Sequence, residues 1–287
     1  MSKGFVYVAT GKKFVNEAVI SAHFLKKHHP NTPIAIISDA QVHDDIFAKT
    51  ILIDKPSYNL RDKTYLYLSP FEHTVFVDTD TYIAGDISEL FVLLTHFDVA
   101  AHQLFEGHEY HMPHIPHAFP EFNTGVIAFV NNNNFAKFCD NWRNIFDKYL
   151  GAENWVNDQK SFREALYMST LRHTVLPPEY NFRPLTTNFA IMPVKVFHGR
   201  NFGDMAFLEK RMNKIAVHRA YVPRFEVAVH DYMPLGDLYK LWAEATLQII
   251  KEIFKYILPI TLRNSLRNVS WIRKLFHKSR YQEWMQK

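Results

Sequence analysis

Thr74-Val75-Phe76-Val77-Asp78-Thr79-Asp80-Thr81-Tyr82 decides how this chain is read. An apolar, β-branched run predicts a strand, and two carboxylates follow it at i and i+2. They project to the same side if the strand continues. They also stand at a strand end, where open α/β sheets bind their ligands. Neither aspartate has a Lys or Arg beside it in the sequence. Paired carboxylates of this kind suit a hard divalent cation such as Mg²⁺ or Mn²⁺. Such a cation can hold a diphosphate and neutralise its charge as it leaves. A polar turn closing a strand is the plain alternative, because Asp-x-Asp is a common triplet.

Outward from that stretch, short apolar runs alternate with helical patterns. Residues 5–9, 33–37, 51–53 and 98–101 predict strands, and residues 14–27, 61–68 and 86–94 predict helices. This β-α-β order favours an α/β domain with a mainly parallel sheet. Residues 102–121 form a polar and aromatic insertion of a length that tends to be functional. Further on, 123–130 predicts a strand, 135–149 and 157–167 predict helices, and 171–176, 194–197 and 215–217 predict late strands.

Composition narrows the function. Hydrophobic residues make up 47%, as in an ordinary soluble globule, which excludes general disorder. The nine glycines form no Walker loop, no GxGxxG turn and no GxSxG elbow, which argues against P-loop NTPases, Rossmann dehydrogenases and α/β-hydrolases. One cysteine, Cys139, cannot make an internal disulfide, so a reducing, cytoplasmic compartment is expected. It lies beside Phe135 and Phe138 on an amphipathic helix and reads as core. Met1-Ser2-Lys3-Gly4 leads straight into a strand, so no secretory signal is expected. No run of 18 uninterrupted apolar residues predicts a membrane span.

Several ordered landmarks join Asp78-Thr79-Asp80. They are Val8-Ala9-Thr10-Gly11, Asp39 after the second strand, Lys63 fifteen residues before Asp78, Phe122-Asn123-Thr124-Gly125-Val126, Asn157-Asp158-Gln159, and Val196-Phe197-His198-Gly199-Arg200. Together they resemble the nucleotide-sugar glycosyltransferases of the GT-A fold, especially the glycogenin and lipopolysaccharide galactosyltransferase group, glycosyltransferase family 8. The resemblance spans roughly residues 5 to 203. It implies a Rossmann-like α/β fold, with a mixed central sheet, flanking helices and here a C-terminal helical tail. It implies transfer of a sugar from a nucleoside diphosphate, UDP in that group, to an acceptor hydroxyl on a glycan or lipid-linked saccharide, with retention of configuration; an inverting enzyme would need a general base, for which Asp158 is the candidate. Asp78, Asp80 and His198 would hold Mn²⁺ or Mg²⁺. Ala9, Thr10, Gly11, Phe14 and Asp39 would frame the nucleoside, and Lys63, Asp78, Thr79 and Arg200 the rest of the donor. Asn123, Asp158 and Gln159 would orient donor sugar and acceptor. Family 8 usually follows its late His with Gly and then Lys-Pro-Trp. Here Gly199-Arg200 follows, and a guanidinium suits phosphate oxygens.

Each of these residues has a bland alternative. Asp158 could serve only the first turn of its helix, Asn123 a turn, His198 the core, and Lys63 a solvated helix face. His218 and His230 also follow apolar residues and are rivals for the third ligand. His108, His111, His114 and His117 recur every third position between prolines, which suggests a loop over the site touching acceptor, with a metal site as the lesser reading. An aspartate-nucleophile phosphatase also places Asp-x-Asp after an apolar strand. A nucleotide-sugar-binding protein without turnover is a non-enzymatic rival.

The formal charge of +4 is unevenly distributed. Residues 239–287 hold ten Lys/Arg and three Asp/Glu, giving +7, while residues 1–238 hold 23 and 26, giving −3. Apolar residues at helical spacing and three of the five tryptophans, Trp242, Trp271 and Trp284, share that tail. The expectation is a catalytic domain over 1–235 and a basic amphipathic tail over 236–287. The tail would meet an anionic membrane surface, on the inner face of the membrane. Docking on the body or on another subunit is the alternative. No nucleic-acid-binding motif is present, so nucleic acid is not an expected partner.

Overall fold

The computed structural model describes residues 1–104, 112–153, 157–184, 186–200, 205–214, 218–222 and 227–230, with positions 239, 242, 243, 246, 249 and 250. The chain forms two compact units. The first is Met1–Phe182 with Lys195–His198, and the second is Arg183–Val194 with Gly199–Lys287.

In the first unit the strands are β1 (Lys3–Ala9), β2 (Ile34–Ser38), β3 (Lys49–Leu52), β4 (His73–Val77), β5 (Thr81–Ile83), β6 (Val99–Gln103), β7 (Phe122–Val130), β8 (His173–Leu176) and β10 (Val196–His198). The α-helices are α1 (Lys12–His28), α2 (Glu89–Leu93), α3 (Asn133–Glu153) and α4 (Asp158–Tyr167), with 3-10 helices at Leu60–Leu68 and Pro178–Tyr180. The sheet order is β3-β2-β1-β4-β7-β6-β8. Strands β1, β2, β3 and β4 are mutually parallel, while β7 runs antiparallel to both β4 and β6. The sheet is therefore mixed, and β7 interrupts the mainly parallel arrangement that the β-α-β order suggests.

Strand β1 shows why the sheet is buried on both faces. Phe5, Tyr7 and Ala9 point to one side, into a core with Ala18, Ala22 and Leu25 of α1. Val6 and Val8 point to the other, into a core with Phe138, Cys139 and Trp142 of α3 and Phe162 of α4. The period of two in the strand thus sorts residues between two helical layers. Trp142 is fully buried and stands edge-on to Phe162 at 5.0 Å, and its indole N–H reaches Ser161 Oγ at 3.1 Å. Truncating such a side chain to alanine costs about 3–5 kcal/mol.

Strand order reverses between β1 and β4, and a crevice for ligands opens outside the carboxyl ends of strands at such a point. The ends of β1, β2 and β4 meet there. Because β7 runs the other way, it contributes its beginning, Phe122-Asn123-Thr124, to the same edge. A short antiparallel pair, β5 with β10, brings His198 opposite Thr81.

In the second unit β9 (Asn188–Ala190), β11 (Arg219–Val222) and β12 (Val227–His230) form an antiparallel sheet in the order β12-β11-β9. Helix α5 (Met205–Met212) buries Met205, Leu208 and Met212. Arg219 is buried and donates to the carbonyls of Ile191 and Met192.

Several sequence expectations need correction. Residues 61–68 form a 3-10 rather than an α-helix, and the 86–94 helix contracts to Glu89–Leu93. The 98–101 strand continues through His102 and Gln103, with a register shift against β7 between Ala101 and His102. β5, β9, β11, β12 and α5 were not anticipated, being three to eight residues long. Strand 215–217, His108, His111 and the 235/236 boundary lie outside the described residues, as does nearly all of the basic tail.

Candidate active site

Strand β4 stops at Val77, so Asp78 and Asp80 do not alternate along a continuing strand. They converge through a turn instead. Asp78 N donates to Gly125 O on β7 at 2.8 Å, and Thr81 Oγ1 donates to Asp78 O at 2.8 Å. Beneath that turn Thr81 bonds Ser21, which bonds Tyr7, so α1 and β1 brace it from below. Thr79 is buried and donates its hydroxyl to Glu17 of α1 at 3.0 Å.

His198 arrives from β10. Its Nε2 lies 3.8 Å from Asp78 Oδ2 and 3.4 Å from Asp80 Oδ1. Asp78, Asp80 and His198 each offer a ligand atom, all within 4.8 Å of one another. With metal–ligand bonds of about 2.1 Å, atoms up to about 4.2 Å apart can share one ion, so both histidine separations fit. Two carboxylates and an imidazole suit a divalent cation. The rival His218 is exposed and belongs to the second unit, as does His230.

Gly125 provides the space for the imidazole. A Cβ on Gly125 would stand 2.1 Å from His198 Cε1 and 2.3 Å from Nδ1. The ring therefore packs against Gly125, where only glycine leaves room.

Lys63 does not lie on a solvated helix face. It is 6% exposed, and its ammonium contacts Asp78 Oδ2 at 2.7 Å, Thr124 Oγ1 at 3.4 Å and Asp158 Oδ2 at 3.5 Å. Burial pulls its pKa down, but Asp158 and Asp78 pull it up and prevail, so the group stays charged well above the ordinary lysine range. Asp78, which has no basic neighbour in the sequence, thus gains one from fifteen residues upstream.

Asp158 begins α4, behind an Asn157 cap that accepts from Gln159 N at 2.9 Å. It is 1% exposed, and its Oδ2 accepts from Thr124 Oγ1 at 2.7 Å. Gln159 is half-buried one residue further. Asn123 is buried on β7, and its Oδ1 accepts from Gly125 N and Asn181 Nδ2.

A second group of predicted residues gathers at the ends of β1 and β2. Asp39 Oδ1 accepts from Gly11 N at 2.8 Å, which fixes the entry to α1. Gly11 has φ 86°, in the region that favours glycine. Thr10 Oγ1 donates to Asp62 Oδ2 at 2.8 Å, and Asp62 also accepts the amides of Ser57 and Tyr58. Ala9 is buried, and Phe14 packs partly buried on the core. Arg200 belongs to the second unit.

Among the predicted histidines, His114 pairs with Glu164 at 3.1 Å, and Tyr149 bonds the same carboxylate. Arg163 Nη2 donates to Phe119 O, tying residues 112–119 to α4. No metal cluster forms there among the described residues. Sequence reasoning missed the part played by Asp62, Thr124, Gly125 and Asn181. Asp62 and Asn181 stand in no recognised pattern. Thr124 and Gly125 belong to a motif in which only the neighbouring Asn carries an expected role.

No protein-family model and no curated protein sequence matches the chain. Among solved structures, it is similar to the glycosyltransferase GlyE of Streptococcus pneumoniae TIGR4, at 13% identity and a TM-score of 0.51, over 90% of this chain and 66% of that one. The apo form of GlyE gives 13% and 0.51, over 89% and 64%. The chain thus spans about two thirds of the length of these GlyE structures. The galactosyltransferase LgtC, in complex with donor and acceptor sugar analogs, gives 14% and 0.49, over 69% of this chain and 88% of that one. The chain has the mixed-sheet α/β fold of the glycosyltransferase GlyE, which is the GT-A fold its motifs led us to expect.

Proposed function

We propose that this protein is a metal-dependent glycosyltransferase that moves a sugar from a nucleoside diphosphate donor, UDP in the first instance, to an acceptor hydroxyl. The observation that carries the reading is the convergence of Asp78, Asp80 and His198 at the reversal of strand order in a glycosyltransferase fold. Asp78, Asp80 and His198 would hold Mn²⁺ or Mg²⁺. A divalent cation at that point supplies positive charge to a departing diphosphate.

The chain's own residues do the rest. Lys63 fixes Asp78 and Asp158 in register and adds a permanent positive charge below them. Gly11, Thr10 and Asp39 shape the nucleoside end, with Ala9 and Phe14 packed beneath. Thr79 and Arg200 would serve the diphosphate, Arg200 in place of the missing Lys-Pro-Trp. Asn123 and Gln159 orient the donor sugar, and Asp158 holds Thr124 and Lys63 beside it. Retention of configuration accords with this arrangement, because Asp158 is closed in by partners and is poorly disposed to act as a general base.

The acceptor in this reading is a glycan or a lipid-linked saccharide. The +7 charge of residues 239–287 and their tryptophans support docking on an anionic membrane from the cytoplasmic side. No helix among the described residues is long and apolar enough to cross a membrane.

A nucleotide-sugar panel tests the proposal. Donor hydrolysis or transfer should require Mn²⁺ or Mg²⁺, favour one nucleotide sugar, and vanish in Asp78→Asn and Asp80→Asn. Absence of any metal-dependent thermal shift with every nucleotide sugar would sink it. An acyl phosphate trapped on Asp78 would instead mark an aspartate-nucleophile phosphatase.

A further inference from the structure

His198 has two ring nitrogens, and only an unprotonated one can ligate a metal. A chain of hydrogen bonds that begins at a backbone amide settles which nitrogen carries the hydrogen. Gly125 N–H can only donate, so the side-chain atom of Asn123 that faces it at 2.9 Å is Oδ1. That same Oδ1 lies 2.7 Å from Asn181, so the Asn181 atom facing it is the Nδ2 donor. The Asn181 oxygen therefore points the other way, toward His198 Nδ1 at 2.9 Å. An amide oxygen only accepts, so Nδ1 carries hydrogen, and Nε2 is the nitrogen turned toward Asp78 and Asp80.

The backbone fixes this arrangement as firmly as the side chains do. Asn181 is fully buried. Phe182 N donates to Val196 O and His198 N donates to Phe182 O, both at 2.8 Å, which clamps the segment bearing Asn181 alongside β10. The imidazole also packs closely against Gly125.

We infer that Asn181 is a positioning residue that selects the Nδ1–H form of His198 and so presents Nε2 to the metal, with Asn123 as the intermediate that orients Asn181. The inference rests on the metal reading above for its consequence, but not for its geometry. Partners of this kind behind a ligating histidine typically change metal affinity about 10–100-fold when removed. Asn123 thereby gains a task besides facing the donor sugar.

The test uses the full chain, labelled with ¹⁵N-histidine and free of metal, at about pH 9, well above the ordinary imidazole range. Wild-type His198 should show hydrogen on Nδ1. Asn181→Ala should shift hydrogen to Nε2 or to a mixture, and calorimetric affinity for Mn²⁺ should fall about 10–100-fold. Asn181→Asp, whose carboxylate still accepts from Nδ1, should keep the wild-type tautomer, while loss of the donor to Asn123 Oδ1 should leave its Mn²⁺ affinity between those of the wild type and Asn181→Ala. Nε2–H in the wild type, or an Asn181→Ala protein with unaltered tautomer and affinity, overturns the inference. If Asn181→Ala does not fold, Asn181→Asp decides alone, and loss of its Nδ1–H form overturns it. If the wild type binds no Mn²⁺, the metal reading falls while the tautomer spectra still decide whether Asn181 orients the ring.

Discussion

Two acidic regions lie along the same edge of the sheet, and they use their carboxylates differently. At the ends of β1 and β2, Asp39 and Asp62 accept hydrogen bonds from backbone amides and from Thr10. These carboxylates hold loops. At the end of β4, Asp78 and Asp80 face a lysine ammonium and an imidazole. These carboxylates face a cation and a ring nitrogen from other elements. The same residue type at the same sheet edge thus does structural work at one end and electrostatic work at the other. The partners decide which, and the partners come from distant parts of the chain.

Substitutions that separate the two tasks test this division. The largest effect is expected at the β4 end. Asp78→Asn or Asp80→Asn should weaken Mn²⁺ binding by about 100-fold or more while the protein still melts cooperatively. Equal Mn²⁺ affinity in both variants would erase the distinction. Gly125→Ala comes next, because its methyl would overlap the imidazole. Overpacking of this kind costs about 1–3 kcal/mol, and Mn²⁺ affinity should fall with it, as urea unfolding and calorimetry would record.

Asp62→Asn should show the opposite signature. It removes a charged acceptor from three donors, for a loss of about 1–2 kcal/mol, since asparagine keeps one acceptor oxygen. Nucleotide affinity should drop and Mn²⁺ affinity should not. A fall in Mn²⁺ affinity there would mean the two regions are coupled. Asp39→Asn is the milder version, with a loss below about 1 kcal/mol, since its partners are one amide and the Ser38 hydroxyl.

The smallest effect belongs to neither region and serves as a control. His29 at the end of α1 is held below the ordinary histidine pKa, chiefly by burial, against a smaller opposing pull from Asp86. Its Nε2 accepts the amide of Ile87 at 3.1 Å. The unfolded chain therefore takes up this proton before the folded one does. Stability from this residue is full above pH 6.5, the unfolded value, and declines as pH falls through the folded value. His29→Gln should flatten that part of the pH–stability curve without touching Mn²⁺ affinity.

The sequence made the frame legible and left the partnerships hidden. β1 and β4 could be read as unbroken apolar runs, and α3 and α4 because they are long enough to show a period of 3.6. β5, only three residues long, shows no period at all, yet its pairing with β10 brings His198 to the turn. Asp78, Asp80 and His198 stand out as a motif and a late landmark. The burial of Lys63 was invisible, because its pairing with Asp78 and Asp158 spans distant elements and a charged residue on a polar pattern reads as solvated. The role of Gly125 was invisible for a different reason. What matters there is empty volume beside another strand, and a sequence does not record volume.

The direction of β7 decides which substitutions reach the site. Its neighbours β4 and β6 run toward the ligand edge and end there, and the turn after β4 is already committed to Asp78 and Asp80. β7 starts at that edge, so the segment running up to Glu121 feeds directly into Asn123, Thr124 and Gly125. The described part of that segment is anchored apart from β4 and β10, by Arg163 of α4 at Phe119 and Glu121. Under the proposed function, substitutions at Glu121 and just before it would reach the site through β7 without touching the strands that carry Asp78, Asp80 and His198.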